Sequence, residues 1–252
     1  MFTGIGLIAF CCIFGAGVAG LLLQKILPQN QRTDAAQKMV QITMNVVAIL
    51  AALVLGLLIA STKTSFDTRS KEIEQFSANL TLLDRELLHF GQEQKDLRAL
   101  LRDFTTRKIA QTWPTDHGSQ PAVDDVQTVQ MLDDIEDRLR VLTPQTEIER
   151  LARSSALQLA GELKRTNRLL TVQESGRTPR PFLVVVIFWV SVLFVSYTIF
   201  APFNATVIAT MLVAALSVSI AVNLIFDMDQ PFLGFIKVSS APMEQALEKM
   251  KP

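Results

Sequence analysis

The chain has 252 residues, 49% of them hydrophobic and 19% charged, and its 24 Lys and Arg balance its 24 Asp and Glu. No run of basic residues interleaved with aromatics occurs, so the chain has no electrostatic footprint for nucleic acid and that class of function is excluded. The hydrophobicity is segregated into uncharged stretches of about twenty residues, long enough to cross a hydrocarbon core roughly 30 Å thick, which predicts an integral protein of the lipid bilayer.

The first predicted span covers residues 5–23. Its leading residues Met1, Phe2, Thr3 and Gly4 hold no Lys or Arg and its apolar run exceeds a typical signal-peptide core, so it reads as a retained helix. The only cysteines, Cys11 and Cys12, are adjacent, where a mutual disulfide is strained, and they read as small apolar side chains. Gly15 with Ala19, and Ala16 with Gly20, put small residues four apart and predict close helix packing. A polar connector, residues 24–41 with Pro28, Asn30, Arg32 and Lys38, reads as a loop with a frayed helical turn. The second span, residues 42–60, carries Asn45, Ala48, Ala52 and Gly56 in one row. Two readings stand for that row: packing between helices, or the wall of a pore that exposes backbone to ions.

Beyond the second span, Ile73, Phe76, Leu80, Leu83, Leu87, Phe90, Gln94, Leu97, Leu101 and Phe104 alternate spacings of three and four. This coiled-coil-like seam predicts one helix running from the membrane into water and ending near Trp113-Pro114, paired within a homo-oligomer or a long intramolecular hairpin. Residues 112–123, with Pro114, Gly118 and Pro121, read as a loop. Val126, Val129, Leu132, Ile135, Leu139 and Leu142 then predict a shorter amphipathic helix. A further helix is predicted from Thr143-Pro144, with Ala152, Ala156, Leu159, Leu163 and Leu170 as a small-residue seam to receive the larger one, ending at Gly176 and Pro179.

The third and fourth spans, residues 182–201 and 205–226, are separated only by a sharp reversal at Ala201-Pro202-Phe203-Asn204 and so are antiparallel neighbours. In the fourth, Thr206, Thr210 and Ser217 share one face and Asn223 lies roughly opposite with Ser219; these too read either as packing groups or as pore lining. Charges gather at one boundary, Lys63, Asp67, Arg69 and Lys71 after the second span, Arg177 and Arg180 before the third, Asp227 and Asp229 after the fourth. They read as interfacial anchors, or in an oligomer as rings biasing ion entry. In the tail, Pro231, Phe232 and Gly234 precede an amphipathic run over residues 243–250, predicted to turn back onto the membrane-proximal helices with Phe232 as anchor.

The fold class is therefore all-α, with four transmembrane helices in two hairpin pairs around a long helical segment. The domains are residues 1–60 and 182–226 in the membrane, 61–181 between them, and a tail of 227–252. Four crossings put both termini and the central segment on one side. The excess of Lys and Arg there (Lys63, Arg69, Lys71, Arg165, Arg168, Arg177, Arg180, Lys237) over Lys25, Arg32 and Lys38 predicts that this side is cytoplasmic, as in a bacterial inner membrane.

Two blocks carry a family resemblance. One follows the second span, Leu55-Gly56-Leu57-Leu58-Ile59-Ala60 with Phe66-Asp67-Thr68-Arg69-Ser70-Lys71. The other follows the fourth, Leu224-Ile225-Phe226-Asp227-Met228-Asp229-Gln230-Pro231-Phe232-Leu233-Gly234-Phe235-Ile236-Lys237. In these blocks and in the spacing of its hydrophobic pairs the chain resembles the bestrophin-like membrane proteins. Gln230 stands where that family often has a basic residue. The resemblance implies a link to bestrophins, oligomeric anion channels, and thus a homo-oligomer that passes inorganic ions.

No phosphate-cradling glycine loop, His-Glu-x-x-His or nucleophile elbow occurs, and His89 and His117 are the only histidines, so neither enzyme activity, a cofactor nor a metal site is expected. No ionisable residue lies inside any span, which speaks against a proton-driven transporter more than against a passive channel. Two functions remain, an ion channel or pore and a non-conducting scaffold whose helices bind or sense a partner.

Overall fold

The computed structural model describes residues 4–26, 33–90, 95–114, 126–175, 180–232 and 235–250. Pro28, Asn30 and Arg32 of the first connector, Gln94 of the seam, His117, Gly118 and Pro121 of the loop, Gly176, Arg177, Pro179 and Gly234 lie outside them. The described residues form eight helices: α1 (Gly4–Ile26), α2 (Asp34–Leu88), α3 (Lys95–Thr112), α4 (Val126–Val141), α5 (Glu147–Ser175), α6 (Arg180–Thr198), α7 (Ala205–Met228) and α8 (Ala241–Lys249). They contain no strand, and α1, α2, α6 and α7 are each long and apolar enough to cross a membrane. The all-α reading holds.

Local chemistry sets the helix ends. Thr33 starts α2 by accepting the Ala36 amide on its hydroxyl, which takes a connector read as mostly loop into helix from Asp34. Asn204, with extended backbone (φ −140, ψ 163), caps α7 by accepting the Val207 amide at 2.9 Å. The predicted cap at Thr143-Pro144 is not used. Thr146 instead caps α5 by accepting the Glu149 amide, and the Glu149 carboxylate reaches back to accept the Gln145 amide just before the cap, so α5 begins at Glu147.

The chain divides into two compact units, residues 1–64 with 178–229 and residues 65–177 with 230–252, and the division falls inside α2. In the first, apolar unit, Ala9 and Ile13 of α1, Leu58 of α2, Leu183, Val186 and Val190 of α6, and Ala215, Val222 and Ile225 of α7 form one core. Lipid removes the hydrophobic drive between such helices, so close packing must hold them. Glycines supply it. A Cβ on Gly20 would run into the Thr198 hydroxyl and the Val195 carbonyl, one on Gly17 into the Met211 sulfur, and one on Gly6 into Asn223. The packing row is Gly6, Ala9, Ile13, Gly17 and Gly20; of the pairs read from sequence only Gly20 belongs to it, and Gly15 meets nothing.

In the second, amphipathic unit the long seam is not one helix. α2 stops at Leu88 and α3 starts at Lys95, and the two run antiparallel: Phe76 packs against Phe104 with ring centroids 6.2 Å apart, and Arg98 holds both oxygens of buried Asp84 at 2.7 and 3.1 Å. The sequence pattern ran across Gly91, a residue type of low helix propensity, in the interval between them. Ile73, Phe76, Leu80, Leu83 and Leu87 thus meet Leu97, Leu101 and Phe104 within one chain, with Ala156, Ala160 and Leu163 of α5 and Leu132, Ile135 and Leu139 of α4 completing the core. Each Leu, Ile or Phe among them contributes about 1.5–3 kcal/mol on full burial. Asn79 reaches Glu162 at 3.1 Å, and Arg153 caps the last carbonyls of α4, at Leu139 and Arg140.

Candidate functional site

The row predicted in the second span is presented on α2 with little around it. Only 6% of the most apolar stretch of α2 is buried, against 33%, 28% and 22% in α1, α6 and α7. Buried Ala51 and Leu58 define the face turned into the apolar unit. Asn45, Ala52 and Gly56 are exposed on another face, Ala48 is half-buried at its edge, and a Cβ on Gly56 would meet nothing. Beside them Val46, Ile49, Leu53 and Leu57 are also exposed. One polar tie crosses this surface, where the Tyr197 hydroxyl of α6 donates to the Asn45 amide oxygen at 2.8 Å. Tyr197, the only tyrosine, is missed by the sequence reading; a lone phenol in an otherwise largely apolar span is the available signal.

The candidates on α7 divide. Thr206, Thr210 and Ser217 are exposed together, but the hydroxyls of Thr210 and Ser217 donate to the helix backbone at Thr206 and Val213, so they need no outside partner. Asn223 sits against Gly6, and neighbouring Ser219 donates to the Gly6 carbonyl. The α1–α7 contact is therefore where these two polar groups are placed.

Of the boundary charges, Asp67 and Arg69 belong to the amphipathic unit and Asp227 and Asp229 to the apolar one. Arg69 and Asp227 are buried, Asp67 and Asp229 half-buried. Asp229 also ends α7, its amide donating to the Ile225 carbonyl. In the tail, Pro231 and Phe232 are buried; Phe232 meets Trp113 edge-on at 5.6 Å, and the Pro231 carbonyl accepts the Val238 amide at 2.7 Å. The Trp113 indole donates to the Val238 carbonyl at 2.8 Å and Ser77 to the Pro242 carbonyl, so the tail is seated on α2 and α3 of its own unit.

No cluster of three or more His, Cys, Asp or Glu that could hold a metal exists among the described residues. Cys11 and Cys12 are both exposed thiols.

The sequence matches the Bestrophin-like domain family over residues 11–243. The fold is similar to crystal structures of a bacterial Bestrophin homolog from Klebsiella pneumoniae. One single-substitution variant aligns with a TM-score of 0.71 at 9% identity over 97% of this chain and 98% of that one. A second variant gives 0.69 at 10% identity over 99% and 98%, and the zinc-phased structure 0.61 at 12% over 94% and 97%. At these identities the likeness concerns the fold. No curated protein matches the sequence.

Proposed function

The chain belongs to the Bestrophin-like family, and from that premise we propose that this integral membrane protein assembles with copies of itself into an ion-conducting pore walled by the Asn45, Ala48, Ala52 and Gly56 face of α2. One observation carries the reading: the span with the least burial in its own chain is also the one that shows a row of small and amide side chains. Lipid asks for no such row, whereas a lumen or a second copy of the helix does. Thr206, Thr210 and Ser217 belong to the outer face of α7 and serve the contact between copies or the pore mouth. Asp67, Arg69, Asp227 and Asp229 then act on ions at the boundary. The excess of positive charge near the span ends supports a cytoplasmic position for the amphipathic unit and both termini.

Ion flux through liposomes holding the purified protein tests the proposal. We expect flux that Gly56→Trp blocks while the assembled mass, measured with detergent correction, stays the same. Absence of flux across pH, salt and calcium conditions would overturn the pore and favour a non-conducting scaffold. Labelling of single cysteines on each side of intact cells decides the orientation.

A further inference from the structure

We propose that the face of α5 around Arg165 and Arg168 is a binding site for a phosphoryl anion, carried by a free phosphate ester or by a lipid headgroup. The inference is independent of whether the protein conducts. An open cavity of about 500 Å³ lies between α4 and α5, lined by Glu136, Gly161, Lys164, Arg165, Arg168 and Leu169. The five α5 residues share one face by helical spacing.

The charges around this cavity do not cancel. Lys164 donates to Asp133 at 2.6 Å and to Glu136 at 2.7 Å, and Arg140 also pairs with Glu136 and, at 3.7 Å, with Asp137. Asp133, Glu136 and Asp137 of α4 are thus taken by Lys164 and Arg140. Arg165 and Arg168 are exposed one turn apart and, among the described residues, pair with no carboxylate. Two planar guanidinium forks at that spacing suit a tetrahedral oxyanion. The hydrogen bonds from Lys164 also hold the Glu136 carboxyl below its usual range, so this acid stays ionised and engaged with the ammonium instead of competing for the guanidinium groups.

Gly161 is the second observation. Glycine inside a helix costs about 1 kcal/mol relative to alanine, and here a Cβ would meet nothing within 4 Å, so the fold itself gives no packing reason for it. Its missing side chain leaves room in the cavity lining. Leu169, 41% exposed at the rim, offers an apolar surface to the organic part of a phosphate ester. The cavity is much larger than a bare phosphate needs and falls in the range of small-molecule sites.

The test uses the full chain in phosphatidylcholine nanodiscs, titrated calorimetrically with pyrophosphate. We expect saturable binding that weakens about tenfold or more, the scale of a lost bidentate charged contact, in Arg165→Gln/Arg168→Gln. Gly161→Leu should weaken binding equally while leaving the charge intact and raising the melting temperature, a combination that general unfolding does not produce. In nanodiscs that include phosphatidylinositol bisphosphate, loss of the pyrophosphate signal identifies a headgroup as the ligand, and a retained signal identifies a free phosphate ester. No saturable binding by the wild-type protein overturns the site, as does binding that survives both variants. A fall in assembled mass in either variant would assign this face to contact between copies and equally overturn it.

Discussion

The Tyr197 hydroxyl and the Asn45 amide oxygen, 2.8 Å apart, link α6 to the second span at a place where both side chains are exposed. The amide is thereby oriented and still open on one side. In a background with Cys11 and Cys12 replaced by Ala, a membrane-impermeant thiol reagent should label Asn45→Cys, Ala52→Cys and Gly56→Cys in flux-competent protein. Tyr197→Phe should cost about 1 kcal/mol of stability, the scale of an interhelical hydrogen bond in a bilayer. If Cys at 45, 48, 52 and 56 all resisted the reagent, this face would not be the pore wall.

The glycines of α1 should separate by neighbour. Gly20→Ala pushes a methyl against the Val195 carbonyl, 2.7 Å from the Cβ position, and backbone cannot swing away, so a loss of about 1–3 kcal/mol is expected. Gly17→Ala meets the flexible end of Met211 and should cost less, and Gly15→Ala nothing. Thermal melts in one detergent rank the three; equal values would refute the packing row.

Asp84 is buried and Arg98 partly exposed, and the pair locks α2 to α3. Asp84→Ala leaves a guanidinium over the apolar seam and should destabilise by about 1–3 kcal/mol, reduced from the fully buried case by the exposure of Arg98. Asp84→Ala combined with Arg98→Met should recover part of that loss in a double-mutant comparison.

The α4–α5 tie predicts a pH window. Glu136 is held below its usual value by the hydrogen bond from Lys164, so its contribution is present above the ordinary Glu value of 4.5 and is lost as pH falls through the lower, folded one. Lys164 is held above its usual value by Asp133 and then Glu136, so its contribution is present below the ordinary Lys value of 10.5 and is lost as pH rises through the higher, folded one. Melting temperature should be highest between those limits. Glu136→Gln should flatten the acid side, and an unchanged acid limb would show that other carboxylates dominate it.

Trp113→Phe removes the donor to the Val238 carbonyl and should cost about 0.5–1.5 kcal/mol, with Phe232→Ala costing more because the edge contact goes too. Both should speed tryptic cleavage after exposed Lys237. Rapid cleavage there in the wild-type protein would mean the tail is not held.

The four apolar helices, the amphipathic helix α4 and the small seam of α5 were legible in the sequence. Uncharged runs of sufficient length and the alternation of three and four residues are local signals, written in consecutive positions. Helix ends were less so, as the choice of Thr146 over Thr143 shows: both offer a hydroxyl, and the partner Glu149 decides.

The sequence by itself determined that this is an all-α membrane protein with four uncharged spans, because transfer of uncharged stretches into lipid depends on composition alone. Only the tertiary structure decided that the seam from Ile73 to Phe104 closes on itself as two helices packed within one chain, since a seam states that a helix wants a partner and not which one. It also decided that Gly6 and Gly17 join Gly20 in the packing row while Gly15 stands outside it, and that Asn223 meets α1. Small side chains permit a close approach on any face, and the face used is set by the shape of the helices that arrive there.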